Sequence, residues 1–241
     1  MAGPSELTAK GEVRNRLIAL LPAEDRQLVI GDSVRTSFRR AKDLYGGARR
    51  IDAIYFPLDC VVSVLAGAGK GAARVEIAMI GNEGAVGVFS ILNAEKAMGV
   101  HLVQLAGDAM RLDIANFNKY IRESPIFHKL MHRYLYALTH QIVQAGACDR
   151  LHRMEERCAR WLLMTHDRSN SDALPITQEF LSEMLGVRRA TVNFAIGILR
   201  TAGFIQYIRG QITITDRTGL ESAACPCYEL IRREYRELSL G

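Results

Sequence analysis

The stretch ITQEFLSEMLGVRRATVNFAIGIL, residues 176–199, constrains this chain more than any other. It reads as two short helices around a glycine. Thr177 suits the cap of the first helix, Glu179 sits in its opening turn, and Leu181, Met184 and Leu185 form an inward stripe. Gly186 can take the left-handed conformation that ends a helix and turns the chain sharply. Val192, Ala195, Ile196 and Leu199 form the stripe of the second helix, from about Arg188 to Thr201, and small Ser182 lies where the helices must cross closely. A small residue, a glycine four later and a β-branched residue six beyond that is the helix-turn-helix order, and several positions must agree at once to produce it. The following GFIQYIRGQITIT predicts a hairpin, a wing, with Ile205 and Tyr207 on one strand, Arg209-Gly210 at the turn, and Ile212 and Ile214 on the other.

The second helix keeps a separate outer face carrying Arg188, Arg189 and Asn193. Arginine can bond guanine O6 and N7 together, asparagine suits adenine, and a helix N-terminus favours phosphate. Arg200, Arg209 and Arg217 are expected to meet phosphates, with Thr177 at the edge of the same surface. A formal charge of +5 says little alone, since solvated basic faces are common. Its distribution says more: from Arg188 to Arg217 the only acidic residue is Asp216.

With 241 residues, 49% of them hydrophobic, the chain suits two modest domains. The first 25 or so residues predict a short amphipathic helix, with Leu17, Leu20 and Leu21 before Pro22. From Val29 to about Leu112, the runs IDAIYFP, CVVSVLAGAG, ARVEIAMIG, VHLVQLAG and DAMRL predict an antiparallel β-barrel or roll. Val75, Ile77 and Met79 alternate as if one face of their strand pointed inward, and Gly81, Gly84 and Gly87 mark turns. Ser124-Pro125 opens a helix of about six turns, uninterrupted to Gly146. Within it Phe127, Met131, Tyr134 and Leu138 alternate steps of four and three, the spacing of a seam between two copies of the helix. A further helix is expected from about Asp149 to Arg168, with Leu151, Met154, Cys158, Trp161 and Leu162 on one face, and Asp167–Asp172 as a linker. The divisions are therefore 1–123, 124–147 and 148–241.

This order of elements resembles the Crp/Fnr family of bacterial regulators from about Val29 to Tyr228. The likeness is carried by YFPLDCVVSV, IGNEGAVGV, QIVQAGACDRLHRMEERCARWLL, TQEFLSEMLGVRRATV and GFIQYIRGQITITDRTGLESAACPCY. It implies an α+β fold: an N-terminal β-roll of the cyclic-nucleotide-binding jelly-roll kind, a long dimerisation helix and a C-terminal winged helix-turn-helix. It also implies a non-enzymatic, homodimeric regulator of double-stranded DNA with a near-palindromic operator, and RNA polymerase as a further partner. DNA contact falls to Arg188, Arg189, Ala190 and Phe194. Arg189 matches the base-reading arginine, while Ala190 and Phe194 stand where cyclic-AMP-binding members carry Glu and Arg, so their operator does not carry over. The ligand segment matches GAVGVFSILNAEKAMGVHLVQ, where the ribose glutamate position is Val88 and no arginine follows before Arg111. Cyclic AMP is therefore disfavoured, and Glu83 is read as a solvated turn residue. An N-terminal iron–sulfur site fails because no cysteine precedes Cys60.

No cofactor and no metal are expected. Five cysteines at irregular spacing suit a reduced compartment rather than a disulfide framework. Cys225-Pro-Cys227 offers two thiols without a histidine nearby in sequence, so packing or surface roles are expected; His128, His132 and His140 lack an accompanying carboxylate on their face. Without a secretory leader or an apolar run of about 20 residues, the expectation is a cytoplasmic chain without membrane contact. Two rivals remain: a ligand-independent architectural DNA-binding dimer, and a cupin-like small-molecule-binding barrel. The second is weak because the β-region offers only His101 as an imidazole.

Overall fold

The computed structural model describes residues 8–9, 12–45, 50–67 and 73–238. A two-stranded hairpin, β1 (Thr8–Ala9) and β2 (Glu12–Val13), leads into two short helices, α1 (Arg16–Ala19) and α2 (Ala23–Gly31). The expected single N-terminal helix is thus two, because Pro22 ends the first and then serves as the N-cap of the second. The start of the expected helix lies partly outside the described residues. Leu17 and Leu21 are buried as expected, whereas Leu20 is exposed.

Among the described residues the roll consists of two three-stranded antiparallel sheets. One has the order β3 (Ser33–Phe38), β8 (Gly107–Asp113), β4 (Ala53–Pro57), and the other the order β6 (Arg74–Ile80), β5 (Val61–Gly67), β7 (Val100–Leu105). Every apolar run named from the sequence forms a strand. β3, sequence SVRTSF, was not expected; its polar residues lie along an edge, where pairing with β8 alone forms the strand. The expected alternation in β6 is replaced by consecutive burial of Ala78, Met79 and Ile80. Both faces of this sheet are covered: Val62, Val64, Ala78 and Ile80 face the roll's own core, while Val61, Leu65, Met79 and Leu105 pack with the C-terminal helices.

After α3 (Ile114–Glu123), Ser124 starts α4 (Pro125–Leu151) as the sequence predicts, its hydroxyl accepting from the Phe127 N–H at 3.1 Å. The helix passes through Gly146 to reach Leu151. Phe127, Met131, Tyr134 and Leu138 are each at most 1% exposed and belong to the roll's core. Phe127 meets Phe117 and Tyr120 edge-on or tilted, and the Tyr134 hydroxyl donates to the Ala85 carbonyl at 3.2 Å. The expected seam is therefore the face that docks α4 on its own roll. A four-three apolar spacing specifies a buried stripe but not which surface buries it.

The chain bends at His152 and Arg153, so α5 (Met154–His166) is separate and Leu151, 76% exposed, lies outside its apolar face. A short strand β9 (Ala173–Leu174), α6 (Gln178–Leu185), α7 (Arg189–Thr201), β10 (Ile205–Ile208), β11 (Gln211–Ile214), α8 (Arg217–Ala223) and α9 (Cys227–Glu237) complete the fold. α9 returns to pack against α4, and Leu238 joins the roll's core.

Candidate nucleic-acid interface

The helix pair forms as its sequence demands. The Thr177 hydroxyl accepts from the Phe180 N–H at 3.1 Å, capping α6, and Leu181, Met184 and Leu185 are buried behind it. Gly186 follows with φ of +65°, a conformation that a side chain would strain, and a Cβ there would also crowd Val75 of β6 at 3.0 Å. Val192, Ala195, Ile196 and Leu199 bury the inner face of α7. Ser182, with its hydroxyl donating to the Glu179 carbonyl at 2.7 Å, is buried on α6, which packs against α7.

What remains outside is a contiguous face. Arg188, Arg189, Ala190, Asn193 and Phe194 are all exposed, Phe194 at 69%. Arg188, the N-cap of α7, makes no side-chain capping bond, and an anion is favoured at this helix N-terminus. Arg189 lies 3.8 Å from Glu179, a pair so exposed that water screens it and the guanidinium stays available. Asn193 lends its Oδ1 to the Gln178 amide at 3.0 Å, a bond that reading a base would have to exchange. Thr177 sits at the rim of this face with its hydroxyl already used as a cap.

The wing also matches its sequence. Ile205 pairs with Ile214 and Tyr207 with Ile212. Arg209 (φ +48°) and Gly210 (φ +81°) form a turn with both central residues left-handed, which suits the twist of a tight hairpin. Arg209 and Arg200 are exposed. Arg217 is not available: its guanidinium reaches Asp167 at 2.5 Å, Glu221 at 3.0 Å and the Tyr228 hydroxyl at 2.8 Å. Its expected phosphate contact is replaced by a network that fastens α8 to the end of α5.

Sequence reasoning missed how this unit is held against the roll. The expected linker Asp167–Asp172 is instead an anchor, because Arg168 inserts its guanidinium beside Glu83, Nε to Oε1 at 2.8 Å. Glu83 is 6% exposed, not solvated, and also accepts from the Gly81 N–H at 3.2 Å. Trp161 Nε1 donates to Glu76 of β6 at 2.8 Å, and Arg40 lies over the Phe180 ring at 4.8 Å. The one available signal was the lone tryptophan, a residue type that seeks a hydrogen-bond partner when buried.

Of the packing and surface roles expected of Cys225 and Cys227, the structure shows packing, with a histidine that is distant in sequence close by. Both are buried, and the fold sets beside them Cys148 and His152 from the end of α4. His128 and His132 stack on the exposed side of α4, with His132 Nδ1 2.9 Å from the His128 carbonyl. No helix among the described residues is long and apolar enough to cross a membrane.

Residues 156–223 match the Crp-like helix-turn-helix domain. FixK2 from Bradyrhizobium japonicum is similar over 80% of this chain and 98% of its own, with a TM-score of 0.68 at 15% identity. TTHB099, a CRP-family transcriptional regulator from Thermus thermophilus, is similar over 78% of this chain and 96% of its own, at 0.65 and 15% identity. CLP, a c-di-GMP-responsive global regulator from Xanthomonas campestris, covers 80% of this chain and 99% of its own, at 0.62 and 12% identity. The α+β arrangement of sheets, long helix and C-terminal helix-turn-helix is the fold of these Crp/Fnr regulators. A search of curated proteins finds no match.

Proposed function

We propose that this chain, whose residues 156–223 match a Crp-like helix-turn-helix domain, is a sequence-specific transcription regulator that binds DNA as a homodimer and does not respond to cyclic AMP. The observation that carries the reading is the exposed outer face of α7 on a fully buried inner stripe. Arg189 and Asn193 read base edges, Phe194 presents an apolar surface to a thymine methyl, and Arg188, Arg200 and Arg209 hold phosphates, with Thr177 and Ala190 against the backbone. RNA polymerase is a partner that follows from this role.

Dimerisation uses α4, through the stripe its own roll leaves open. His132, Tyr136, Thr139, Val143 and Gly146 are exposed and alternate steps of four and three. Tyr136 and Val143 are 64% and 65% exposed, a poor use of apolar area unless a second copy covers it. Gly146 supports the same reading. A mid-helix glycine costs up to about 1 kcal/mol against alanine, and beyond its own stretch of helix nothing among the described residues lies within 4 Å of where its Cβ would be. A closely approaching partner backbone would account for it. Two copies related by a two-fold axis would place the recognition helices about 34 Å apart, one turn of DNA.

Independence of cyclic AMP is supported by how the ligand-like segment packs. Val88 is fully buried, and Cβ atoms at Gly84 and Gly87 would collide with the rings or hydroxyls of Tyr134 and Tyr45, so the chain's own aromatic groups fill the space. Arg111, the next arginine, pairs with Asp113 and Asp52.

The test is fluorescence anisotropy of a labelled random-sequence duplex across a salt series. Six arginines from two copies predict a log–log slope of about −5, and Arg209→Ala should make it shallower by about 2. Binding that is absent, or indifferent to salt, overturns the assignment.

A further inference from the structure

At the far end of α4 from its Ser124 cap, the described residues bring together four metal-ligating side chains. Cys148 and His152 are one helical turn apart, and the His152 N–H still donates to the Cys148 carbonyl at 3.2 Å as the helix ends. Cys225 and Cys227 flank Pro226, where α9 begins. The ligand atoms, three Sγ and one imidazole nitrogen, lie within 4.8 Å of one another. Cys148 Sγ is 3.4 Å from Cys225 Sγ, and Cys227 Sγ is 3.5 Å from His152 Nδ1. With metal bonds of about 2.3 Å to sulfur and about 2.0 Å to nitrogen, the edges of a tetrahedron are about 3.5–3.8 Å. The Cys148–Cys225 and Cys227–His152 separations are already near that size.

We propose that Cys148, His152, Cys225 and Cys227 bind one thiophilic divalent cation of the zinc class, in a closed four-ligand site. The surroundings suit a charged centre better than a hydrophobic contact. The three cysteines form a small cluster of their own, apart from both apolar cores. Gln144 Nε2 donates to Cys227 Sγ at 3.1 Å, the kind of outer contact that orients a thiolate. Arg160 is 6% exposed, its charge acts on both Cys148 and Cys225, and its Nε has no hydrogen-bond partner among the described residues. On binding, each thiol gives up its proton to water; three thiolates and one dication leave a single negative charge beside that guanidinium. With all four positions taken by protein, no site remains for substrate, so the ion is structural.

Such an ion would join two segments 77 residues apart in sequence. It would tie the end of α4, just before the bend into α5, to the segment that follows the wing and α8. The whole helix-turn-helix lies inside the loop that the ion closes. The site stands independently of the DNA-binding proposal, since it concerns only the donor set.

The test uses the full chain, reduced, stripped with a chelator and titrated with Co2+. One equivalent should produce the strong visible bands of tetrahedral cobalt and a sulfur-to-cobalt charge-transfer band in the near ultraviolet, both displaced by Zn2+. Cys225→Ser with Cys227→Ser should abolish the charge-transfer signature or weaken zinc binding at least about a hundredfold, while Cys60→Ser, remote in the roll, should change neither. His152→Asn should keep the charge-transfer band and alter the visible bands. The wild-type titration decides the matter even if a variant fails to fold. Wild-type protein with a native circular dichroism spectrum and no tetrahedral bands overturns the proposal. So does protein isolated with a Cys148–Cys225 disulfide, lighter by two hydrogens, that takes up no metal after reduction.

Discussion

The Glu83 carboxylate lies 2.8 Å from Arg168 Nε with the two side chains 6% and 5% exposed, joining a turn of the β-roll to the chain two residues past the end of α5. Both charges are out of water. Arg168 also donates to the Met164 carbonyl at 2.8 Å, and its guanidinium lies 5.7 Å from the Tyr235 ring centroid, whereas Glu83 Oε2 has no hydrogen-bond partner among the described residues. A pair of this kind adds little stability over an apolar replacement but makes either partner costly to remove alone.

Glu83→Gln or Arg168→Met should therefore each destabilise the chain by about 3–5 kcal/mol, and the double variant by clearly less than the sum. Urea denaturation of the four proteins checks this. Additive single losses would show that the two residues do not act as a pair.

Glu76 gives the chain a pH dependence near neutrality. Burial pushes its carboxyl up from 4.5 to about 7, against the neighbouring Ser63 hydroxyl and the Trp161 N–H, which favour the charged form. Between those values the folded chain holds a proton that the unfolded chain has lost. Stability contributed by the neutral form is thus complete below pH 4.5, declines as pH rises through about 7, and stays lost above it. Glu76→Gln should stabilise by about 3 kcal/mol at pH 8 and by less than about 1 kcal/mol at pH 5. An equal effect at both pH values in urea denaturation would contradict the assignment.

Tyr136→Asp, and separately Val143→Glu, should convert a dimer to a monomer without unfolding it, because neither side chain supports its own chain's core. Sedimentation velocity at micromolar concentration reads the change. Met131→Ala should instead cost about 2–5 kcal/mol of stability, because Met131 is fully buried in the roll's core. A wild-type chain that sediments as a monomer, or variants that remain dimeric, would remove the open stripe of α4 from the account.

Much of this was legible because local rules act locally. Thr177, Gly186, Ser124 and the Arg209-Gly210 turn each have a conformation fixed by neighbours within a few residues, and all four take it. The errors concern which surface covers a side chain. Phe127, Met131, Tyr134 and Leu138 have the spacing of a seam whether a partner or their own roll buries them. Glu83 beside glycines looks solvated until Arg168, 85 residues on, arrives to pair it. Cys148 and His152 meet Cys225 and Cys227 only because α9 folds back on α4. Long-range pairing of polar groups leaves no periodicity in the sequence.

The division of labour on the interface can be read on the recognition face itself. Arg189→Ala should lower affinity for a selected site by about 1–3 kcal/mol and relax preference at one base position, whereas Arg209→Ala should weaken selected and random duplexes alike. Equal losses for both variants on both duplexes would show that Arg189 does not read a base.

The central claim is that the outer face of α7 reads DNA sequence, and selection of bound duplexes from a random pool tests it most directly. The account predicts recovery of a two-fold symmetric consensus with half-sites one helical turn apart, lost from the pool selected by Arg189→Ala. Retention of DNA with no enriched sequence would contradict it, and would leave a chain that grips phosphates without reading bases.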